Sequence, residues 1–534
     1  MAVETIKNIF GYILESIDIN DEFKQAIDLL ENTNKNVFIT GRAGTGKSTL
    51  LNYFCKYTNK KFVVLAPTGV AALNVGGQTI HSFFGFKPNV TMSDITEIYF
   101  DDDKNNIYKL IDILIIDEIS MVRADLLDCI DAFLRTNGPS KDRAFGGVQV
   151  AFIGDLYQLP PVIRGEEKDI IKGIYKSPYF YSAKVFDDLK MEFIELTKIY
   201  RQSDVAFIEL LNAIRNNTAT DNDLEFLNKR VKSIDIIDSN EDLYVYLATT
   251  NKVATKINSE MLAAIKRKIH SFKGTIEGNF DEKNLPTSID LQLKVGSQVM
   301  MVNNDVFGGW VNGSLGNINA FKNDERGNQY IIVNLGNNKL INVYPNTWNI
   351  YHYFAEKGVI KSDIIGKFTQ YPLILAWAIT IHKSQGKTFD RVIIDIGSGA
   401  FACGQVYVAL SRCTSLDGII LKKAISKKHI WTDYRVVHFL TKYQYKITEK
   451  KLPYAQKIEI INRAIEKNIL LEIVYLKPDD KKSRRIIKPL AITEMVYRGK
   501  KYMGFQAFCT LRNENRIFRL ERILEIKELV DIIK

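Results

Sequence analysis

The sequence lacks three features that would assign the chain to a specialised class. It has no run of about 18 apolar residues, the length that a membrane-spanning helix needs. Its start, MAVETIKNIFGYILESIDIN, carries acids inside the apolar stretch, unlike the basic-then-apolar layout of a secretory signal. Its five cysteines are far apart and form no C-x-x-C pair, so neither a disulfide framework nor a zinc site is indicated. These absences predict a protein that folds in water inside the cell.

Length and charge add an internal division. A chain of 534 residues predicts three or four domains, and 46% hydrophobic with 25% charged residues is typical of globular proteins. Residues 451–534 contain 19 lysines and arginines against 11 aspartates and glutamates, so this segment carries +8 of the net charge of +10. Such a basic segment favours a partner with phosphate groups, although basic surfaces also occur on proteins that bind none.

Two sets of apolar strands alternate with helical segments. The first set is NVFIT (36–40), KFVVLAPT (61–68), ILIIDEIS (113–120) and VQVAFIGD (148–155). The second set is EDLYVYLATTN (241–251), LILAWAIT (373–380) and RVIIDIG (391–397). Apolar strands separated by helices predict parallel sheets covered on both faces. We therefore expect two α/β domains.

Three other stretches break this rhythm. Residues 271–372 alternate in short strands and turns, which predicts a small β-barrel inserted into the second α/β domain. The segment Phe84 to Asp112 is interpreted as an excursion from the first domain. After a linker near Lys450 to Pro453, an amphipathic helix at 456–468 leads into strands, which predicts a separate α+β module.

The strongest motif is GRAGTGKS at 41–48, a complete G-x-x-x-x-G-K-S between a predicted strand and a predicted helix. Its glycines let backbone N–H groups converge on phosphate oxygens at a helix N-terminus. Lys47 supplies a charge for the β and γ phosphates, and the Ser48 hydroxyl can ligate magnesium. The motif predicts a site for a nucleoside triphosphate.

Acidic and amide side chains follow the next strands. Asp117 and Glu118 end the strand ILIIDE, at the sheet edge where ligands of α/β domains bind. We expect Asp117 to hold magnesium and Glu118 to orient and deprotonate the attacking water. Gln158, in GDLYQLPPV, suits a sensor of the γ phosphate, although by itself it is equally typical of a loop.

Two arginines suit the other side of such a site. Arg201 in IYRQSD and Arg412 in ALSRCTS lie where a second domain could present guanidinium groups to a nucleotide held by the first. A planar guanidinium pairs well with phosphate oxygens and offsets charge that develops in the transition state. Taken singly, each arginine is also compatible with a surface or ion-paired position.

Ten motifs in order resemble those of the Pif-type (petite integration frequency) DNA helicases of superfamily 1B, over roughly residues 20–420. They are GRAGTGKST, APTGVAALNVGGQTIHSFF, IIDEISM, GDLYQLPPV, YRQSD, LATTNKVATKIN, LKVGSQVMMV, WVNGSLGNI, AITIHKSQGKTFDRV and YVALSRCTS. The stretch from Met121 to Gly147, ending RAFGGVQV, is similar to the family's signature insert. The resemblance implies two RecA-like phosphate-loop domains and an inserted Src-homology-3-like barrel.

The resemblance also implies an activity and a set of residues. The activity is 5′ to 3′ translocation along single-stranded DNA, driven by hydrolysis of ATP with Mg²⁺, and unwinding of duplex at a wedge in the 84–112 excursion. The implied nucleotide-binding residues are Gln25, Gly44, Thr45, Gly46, Lys47, Ser48, Thr49 and Gly386. Gln25 corresponds to an adenine-reading glutamine, and its alternative is a polar position on an amphipathic helix.

The DNA-binding residues that the resemblance implies are Thr68, Gly69, His81, Phe83, Thr380, His382, Lys383 and Ser384. Hydroxyl, amide and lysine groups suit a phosphate path, while His and Phe offer faces for base stacking. His382 also suits a coupling role between domains, and Phe83 also suits the core. The implied partners are single-stranded DNA and single-strand/duplex junctions. We expect the protein to act as a monomer in the cytoplasm of a bacterium, near the nucleoid.

The C-terminal module resembles a WYL domain through AIEKNILLEIVY, RRIIKPL, KKYMGFQAF and NRIFRLERI. The naming tripeptide is replaced here by Lys501-Tyr502-Met503. Arg484, Arg485, Arg516 and Arg519 are interpreted as a basic patch for single-stranded nucleic acid or another anion, or as solvated arginines. This family is often regulatory, so the module is expected to extend the DNA track or tune the motor.

These inferences give a domain scheme and two competing functions. The scheme is a first RecA-like domain at 1–198, a second at 199–270 and 373–449, a barrel at 271–372 and a WYL-like module at 450–534. The competing functions are a nucleotide-switched regulator and a translocase that strips proteins from DNA without opening duplex. The helicase interpretation places the protein in replication, repair or recombination.

Overall fold

The computed structural model describes residues 19–87, 90–95, 106–163, 167–232, 243–280, 282, 285–305, 308–335, 339–356, 359–397, 402–476, 482–497 and 500–529. Residues 1–18 of the N-terminal segment, which carries acids inside its apolar stretch, lie outside these ranges, as do residues 88–89 and 96–105 of the predicted wedge excursion. The chain divides into two units. The first contains the residues up to Ile208 and Asn228–Ala424, and the second contains Glu209–Leu227 and the residues from Ile425 onward.

The described residues form helices in both units of the chain. They are α1 Asp21–Asn32, α2 Lys47–Tyr57, α3 Gly69–Asn74, α4 Ile80–Phe84, α5 Met92–Ile95, α6 Ala124–Asn137, α7 Glu167–Ile174, α8 Val205–Arg215, α9 Asp221–Asn228, α10 Asn251–Ala264, α11 Gln405–Leu410, α12 Tyr434–Lys451 and α13 Tyr454–Glu466. None of the helices in the described ranges is long and apolar enough to cross a lipid bilayer.

The strands follow the same convention. They are β1 Asn36–Gly41, β2 Phe62–Ala66, β3 Gln78–Thr79, β4 Ile113–Ile116, β5 Gln149–Ile153, β6 Met191–Leu196, β7 Val245–Ala248, β8 His270–Lys273, β9 Thr275–Gly278, β10 Asp290–Leu293, β11 Gln298–Met301, β12 Leu315–Asn323 and β13 Gln329–Leu335. The remainder are β14 Lys339–Val343, β15 Asn346–Glu356, β16 Val359–Gln370, β17 Leu373–Leu375, β18 Ala378–Thr380, β19 Val392–Ile394, β20 Ile419–Leu421, β21 Leu470–Leu476, β22 Lys482–Tyr497, β23 Lys500–Cys509, β24 Glu514–Arg519 and β25 Ile523–Leu529.

The first domain is built on the parallel sheet β3-β2-β4-β5-β1-β6. All residues of β4 and β5 are buried, because helices cover both faces of the sheet and no alternation with polar residues is needed. On one face, α1 and α2 pack through Phe23, Leu30, Leu50 and Phe54. The four strands predicted for this domain are confirmed, and the loops after β1, β4 and β5 meet at one edge.

The second domain contains the parallel sheet β18-β7-β19-β20. The prediction of a single strand at 373–380 is wrong. Leu373–Leu375 pairs antiparallel with β11, whereas Ala378–Thr380 pairs parallel with β7. Between them, the Ala376 N–H donates to the Gln298 carbonyl and the Trp377 carbonyl accepts from Tyr246 N–H. One apolar run therefore serves two sheets, which the sequence pattern alone does not reveal.

The residues between β8 and β17, here called the β insert, form antiparallel sheets as predicted. Their strand orders are β14-β13-β12-β11-β17, β15-β16-β9 and β10-β8. The core of the insert contains Val299, Ile331, Val333 and Leu373, all fully buried. The side-chain amide of Gln370 donates to the Phe272 carbonyl at 2.7 Å and so ties two of the sheets together.

The second unit is built on the antiparallel sheet β24-β23-β22-β21-β25, with α13 packed against it. Only Leu452 and Pro453 separate α12 from α13, so the predicted linker is two residues long. The Arg484 guanidinium lies 3.3 Å from the Asp223 carboxylate and 3.2 Å from Glu472. This ion pair joins the sheet to α9, which precedes the β insert in the chain.

Three residues in the RAFGG stretch, Phe145, Gly146 and Gly147, have a positive φ. Phe145 has φ 52° and Gly146 has φ 64°. The Phe145 N–H donates to the Asp131 carboxylate at 2.6 Å, which stabilises the turn against α6. A Cβ on Gly146 would lie 2.1 Å from the Leu134 carbonyl oxygen, so this position requires glycine on steric as well as conformational grounds.

We expect Gly146→Ala to lower the thermal unfolding temperature by several degrees. Backbone strain of this kind costs about 1–3 kcal/mol, and the steric overlap adds to it. Differential scanning calorimetry measures the change. The matched control is Gly173→Ala in α7, where a Cβ meets nothing within 4 Å and alanine is the better helix former. Equal unfolding temperatures for the two variants would contradict this account of the turn.

Candidate nucleotide site and DNA-facing residues

The loop at 41–48 has the backbone shape that phosphate binding requires. Gly44 and Gly46 have φ of 82° and 85°. Gly46 is also the N-cap of α2, where no side chain caps the helix, so its first N–H groups stay available for an anion. A Cβ on Gly41 would lie 2.6 Å from the Leu196 carbonyl, which only glycine avoids. Thr45 is buried in the loop, and Ser48 and Thr49 are exposed on the first turn of α2.

The Lys47 ammonium lies over this loop. It donates to the Gly41 carbonyl at 2.7 Å and to the Arg42 carbonyl at 2.9 Å. Since both acceptors are neutral, a phosphate oxygen with a full charge would compete well for the ammonium. The loop residues thus fit the triphosphate of a nucleotide.

The buried Asp117 and the partly buried Glu118 form an acidic pair directly after β4. Glu118 has φ 48° and ψ 42°, a left-handed conformation that non-glycine residues seldom adopt outside strained functional sites. Burial, and after it the neighbouring Glu118 charge, raise the pKa of Asp117 to about 7. Burial likewise raises the pKa of Glu118, whereas the Lys47 charge lowers it. Two carboxyls that are costly to ionise fit a site for a cation such as Mg²⁺.

Gln158, in the loop after β5 of the first domain, faces the segment TIHKSQG (380–386) of the second domain. It is 7% exposed, and its side-chain oxygen accepts from the Gln385 amide at 3.4 Å. Gly386 follows with φ 74° and open space beside its Cα. Gln158 therefore joins the loop after β5 to the segment that follows β18.

Arg201 lies on the first domain, whereas the sequence analysis expected it on the second. It follows β6 of the first sheet, and its neighbour Tyr200 donates its N–H to the Gly44 carbonyl at 2.8 Å. A Cβ on Gly44 would lie 2.5 Å from the Arg201 Cβ. The Arg201 guanidinium then reaches the second domain, donating to the Ser411 carbonyl at 3.1 Å. It approaches from beside the phosphate loop because the first sheet extends to β6.

Arg412 comes from the second domain, as predicted. It is 1% exposed, and its Nε donates to the Val408 carbonyl at 2.9 Å. Its Nη1 lies 3.4 Å from the carbonyls of Ser384 and Lys387. Burial, and after it the Arg201 charge, lower its pKa to about 9, while the Glu118 charge acts in the opposite direction. A buried arginine with carbonyl acceptors is positioned to exchange them for an anion.

Gln25 is exposed on α1, on the face opposite the buried Phe23, Ala26 and Leu30. This placement leaves both of its interpretations, adenine contact and surface polar residue, as predictions.

The predicted DNA residues fall into two groups that follow strands of the two parallel sheets. Thr68 and Gly69 begin α3 after β2, and the Thr68 hydroxyl accepts from the Ala71 N–H at 3.3 Å. Thr380 ends β18, and its hydroxyl accepts from the backbone N–H of Lys383 at 3.2 Å, whereas the Lys383 side chain is exposed. Both groups lie at carboxyl ends of strands, the edge at which α/β sheets bind ligands.

Other members of the predicted DNA set are less accessible. Ser384 is fully buried, and its hydroxyl donates to the Ile381 carbonyl at 2.7 Å. His81 and His382 are half-buried, and burial lowers the pKa of each, so both are neutral at pH 7. A neutral imidazole can still stack on a base.

Phe83 lies in an aromatic cluster. It is 8% exposed, with ring centroids 4.9 Å from Phe84, 5.5 Å from Tyr108 and 6.4 Å from Tyr353. Three perpendicular ring contacts of this kind are typical of a packed core. The placement favours the core interpretation of Phe83 over the stacking one.

Sequence reasoning missed one buried cation beside the site. Lys387 is 7% exposed, its ammonium donates to the Asn312 side-chain oxygen, and burial lowers its pKa to about 8. The Asn312 amide in turn donates to Asn74 at the end of α3, at 2.8 Å. These contacts connect the second domain, the β insert and the first domain. Its place directly after Gly386 was the available signal.

The two parallel sheets, the phosphate loop, the acidic pair and the buried arginine define a phosphate-loop ATPase with two RecA-like domains. The sequence matches the PIF1-like helicase family over residues 18–225, the 2B domain of the DNA helicase Pif1 over residues 279–321 and the WYL domain over residues 456–528. The chain belongs to the PIF1-like helicase family. The resemblances inferred from the motifs are thereby confirmed.

Relatives and solved structures agree with this assignment. The ATP-dependent DNA helicase Pif1 of Bdellovibrio bacteriovorus is 32% identical over 442 residues, covering 81% of this chain and 93% of the relative. The human ATP-dependent DNA helicase PIF1 is 34% identical, and the match covers 76% of this chain and 61% of the human protein. Bacteroides sp Pif1 in complex with ADP-AlF4 has TM-score 0.72 and 39% identity, over 81% of this chain and 98% of that one. Bacteroides Pif1 bound to ssDNA has TM-score 0.59 and 40% identity, over 81% and 98%.

We expect Phe83→Ala to lower the unfolding temperature sharply, because truncating a buried phenylalanine costs about 3–5 kcal/mol. Lys383→Ala is the comparison, since this exposed lysine should leave stability unchanged while weakening single-stranded DNA binding. Its loss should also reduce the salt slope of binding by about one phosphate contact. Calorimetry and fluorescence anisotropy at several salt concentrations separate the two. A Phe83→Ala variant of normal stability with weakened DNA binding would restore the stacking interpretation.

Proposed function

We propose that this protein is an ATP-dependent DNA helicase that translocates 5′ to 3′ on single-stranded DNA and unwinds duplex. The observation that carries the proposal is the hydrogen bond from Arg201, which packs against Gly44 of the phosphate loop, to the Ser411 carbonyl of the second domain. A nucleotide in that loop lies where its hydrolysis can depend on how the two domains face each other. Membership of the PIF1-like family supports the same activity, and the polarity rests on the motif resemblance.

ATP is held mainly by the first domain. The N–H groups of Gly44, Thr45 and Gly46 and the Lys47 ammonium bind the phosphates, with Thr49 and Gly386 beside them. Gln25 reads the adenine. Mg²⁺, held by Ser48 and Asp117, supplies electrostatic stabilisation of the phosphate oxygens when bound. The Bacteroides structure with ADP-AlF4 supports the use of a nucleotide by this fold.

Glu118 and the arginines act on the reacting phosphate. Glu118 orients water and accepts its proton, which suits a carboxyl with a raised pKa. Gln158 senses the γ phosphate. Arg201 and Arg412 stabilise the charge that develops on the phosphate oxygens, and the carbonyl acceptors that now hold Arg412 give way to a stronger, charged acceptor.

DNA crosses both domains on the side of Thr68, Gly69, Thr380 and Lys383. Each closure of the domains on ATP, and each opening after hydrolysis, then shifts one set of contacts relative to the other. Contacts to phosphates dominate, so binding depends on salt and not on sequence. Solved relatives bound to ssDNA and to forked dsDNA support single strands and junctions as partners. We propose a monomer acting in replication, repair or recombination.

The C-terminal module is proposed to bind single-stranded DNA or to regulate the motor. The patch of four arginines predicted for it is wrong in one half. Arg484 is ion-paired with Asp223 and Glu472, and Arg485 is 6% exposed, near the Cys509 sulfur. Arg485 is therefore buried, and the partly exposed Arg484 already has two carboxylate partners.

Arg516 and Arg519 are the arginines of that patch that reach solvent. Arg516 lies beside Glu514, and the Arg519 guanidinium lies 4.2 Å from the centre of the Tyr502 ring. An arginine over a partly exposed aromatic ring can also contact a stacked base. We therefore assign any anion contact of the module to this second half.

The polarity assay uses two labelled duplexes, one with a 5′ and one with a 3′ single-stranded tail, with ATP and magnesium. We expect separation of the 5′-tailed duplex alone, and none with Lys47→Ala, because that variant lacks the ammonium that binds the phosphates. Opening of the 3′-tailed duplex would contradict the proposed direction. ATP consumption without opening of either duplex would favour the translocase or the switch.

A further inference from the structure

The hydroxyl of Tyr407 joins three parts of the candidate ATPase site. Tyr407 lies on α11 of the second domain and is 4% exposed. Its oxygen accepts a hydrogen bond from the Ala43 N–H at 2.9 Å and donates to the Asp155 carboxylate at 3.3 Å. Ala43 belongs to the phosphate loop, and Asp155 follows β5. One phenolic oxygen therefore bridges two first-domain loops from the opposite domain.

Close backbone contact fixes the position of this tyrosine. Gly404, the N-cap of α11, has φ 71°, and a Cβ there would lie 2.1 Å from the Tyr157 carbonyl oxygen. The start of α11 thus lies directly on the loop that follows Asp155. Tyr407 lies three residues after Gly404, and its hydroxyl is thereby placed within hydrogen-bonding distance of Ala43.

The three groups match chemically. The Ala43 amide needs an acceptor, and the fully buried Asp155 carboxylate needs donors, of which the Tyr157 N–H at 3.1 Å is another. A tyrosine hydroxyl supplies one acceptor and one donor without adding charge. Asp155 also acts on the chemistry around it, because its charge raises the pKa of Glu118 and of Arg412.

We propose that Tyr407 is a positioning residue of the ATPase reaction, which couples the arrangement of the second domain to the phosphate loop and to Asp155. The inference rests on the proposed ATPase function. Nucleotide binding depends mainly on the first domain, so the loss of the hydroxyl should leave it nearly unchanged. Hydrolysis requires the two domains to face each other correctly, so the loss should appear in kcat.

The test is Tyr407→Phe in the full-length protein, which removes the hydroxyl and keeps the ring. We expect the DNA-stimulated kcat to fall about tenfold, the effect of losing a hydrogen bond to a charged group. The Kd for ADP, measured by a fluorescent analogue, should stay within twofold. The unfolding temperature should fall no further than in the control variant, which also loses a tyrosine hydroxyl that makes a hydrogen bond. Tyr371→Phe is the matched control, because it removes another tyrosine hydroxyl, one that donates to the Gln329 carbonyl in the β insert.

A double-mutant cycle with Asp155→Asn separates positioning from general loosening. We expect the double variant to lose no more kcat than the more impaired of the two single variants, since both residues act through one hydrogen-bonded chain. Three results would overturn the inference: a normal kcat for Tyr407→Phe, a Kd for ADP that weakens in parallel with kcat, or strictly additive losses. Absence of ATP hydrolysis by the unmodified protein would instead overturn the proposed function on which the inference rests.

Discussion

The packing of the second domain against the phosphate loop is the constraint on which the rest of the account depends. Arg201 is pressed against Gly44, and it and Gln202 donate to the Ser411 and Cys413 carbonyls across the interface. The nucleotide site and the domain interface are therefore the same place. A nucleotide that binds more tightly to one arrangement of the two domains would shift the equilibrium toward it, which is the physical requirement for the proposed motor.

Buried charge gives this interface its chemistry. Asp117 and Glu118 are costly to ionise without a cation, and Arg412 is costly to keep charged without an anion. In the function proposed above, a magnesium nucleotide supplies both partners at once. The strained backbone of Glu118 holds a carboxyl at the end of β4 against its conformational preference, which is typical of a residue selected for position over stability.

Short sequence patterns predicted the features that depend only on neighbouring residues in the chain. The parallel strands, the phosphate loop and the acidic pair each follow from a short stretch, because burial on both faces and glycine geometry leave direct marks in sequence. Tertiary packing decided the rest. The division of LILAWAIT between two sheets, the burial of Phe83, the ion pairs of Arg484 and the reach of Tyr407 all depend on distant residues. The family resemblance supplied the polarity and the DNA path, which no local pattern encodes.

We propose that Arg412 of the second domain stabilises the transition state of ATP hydrolysis. The direct measurement compares the affinities for ADP and for ADP-AlF4, with magnesium and single-stranded DNA, in the unmodified protein and in Arg412→Lys. Lysine keeps the charge but loses the planar fork. The account predicts an unchanged affinity for ADP and a loss of about 100-fold in the preference for ADP-AlF4. An equal preference in both proteins would contradict it.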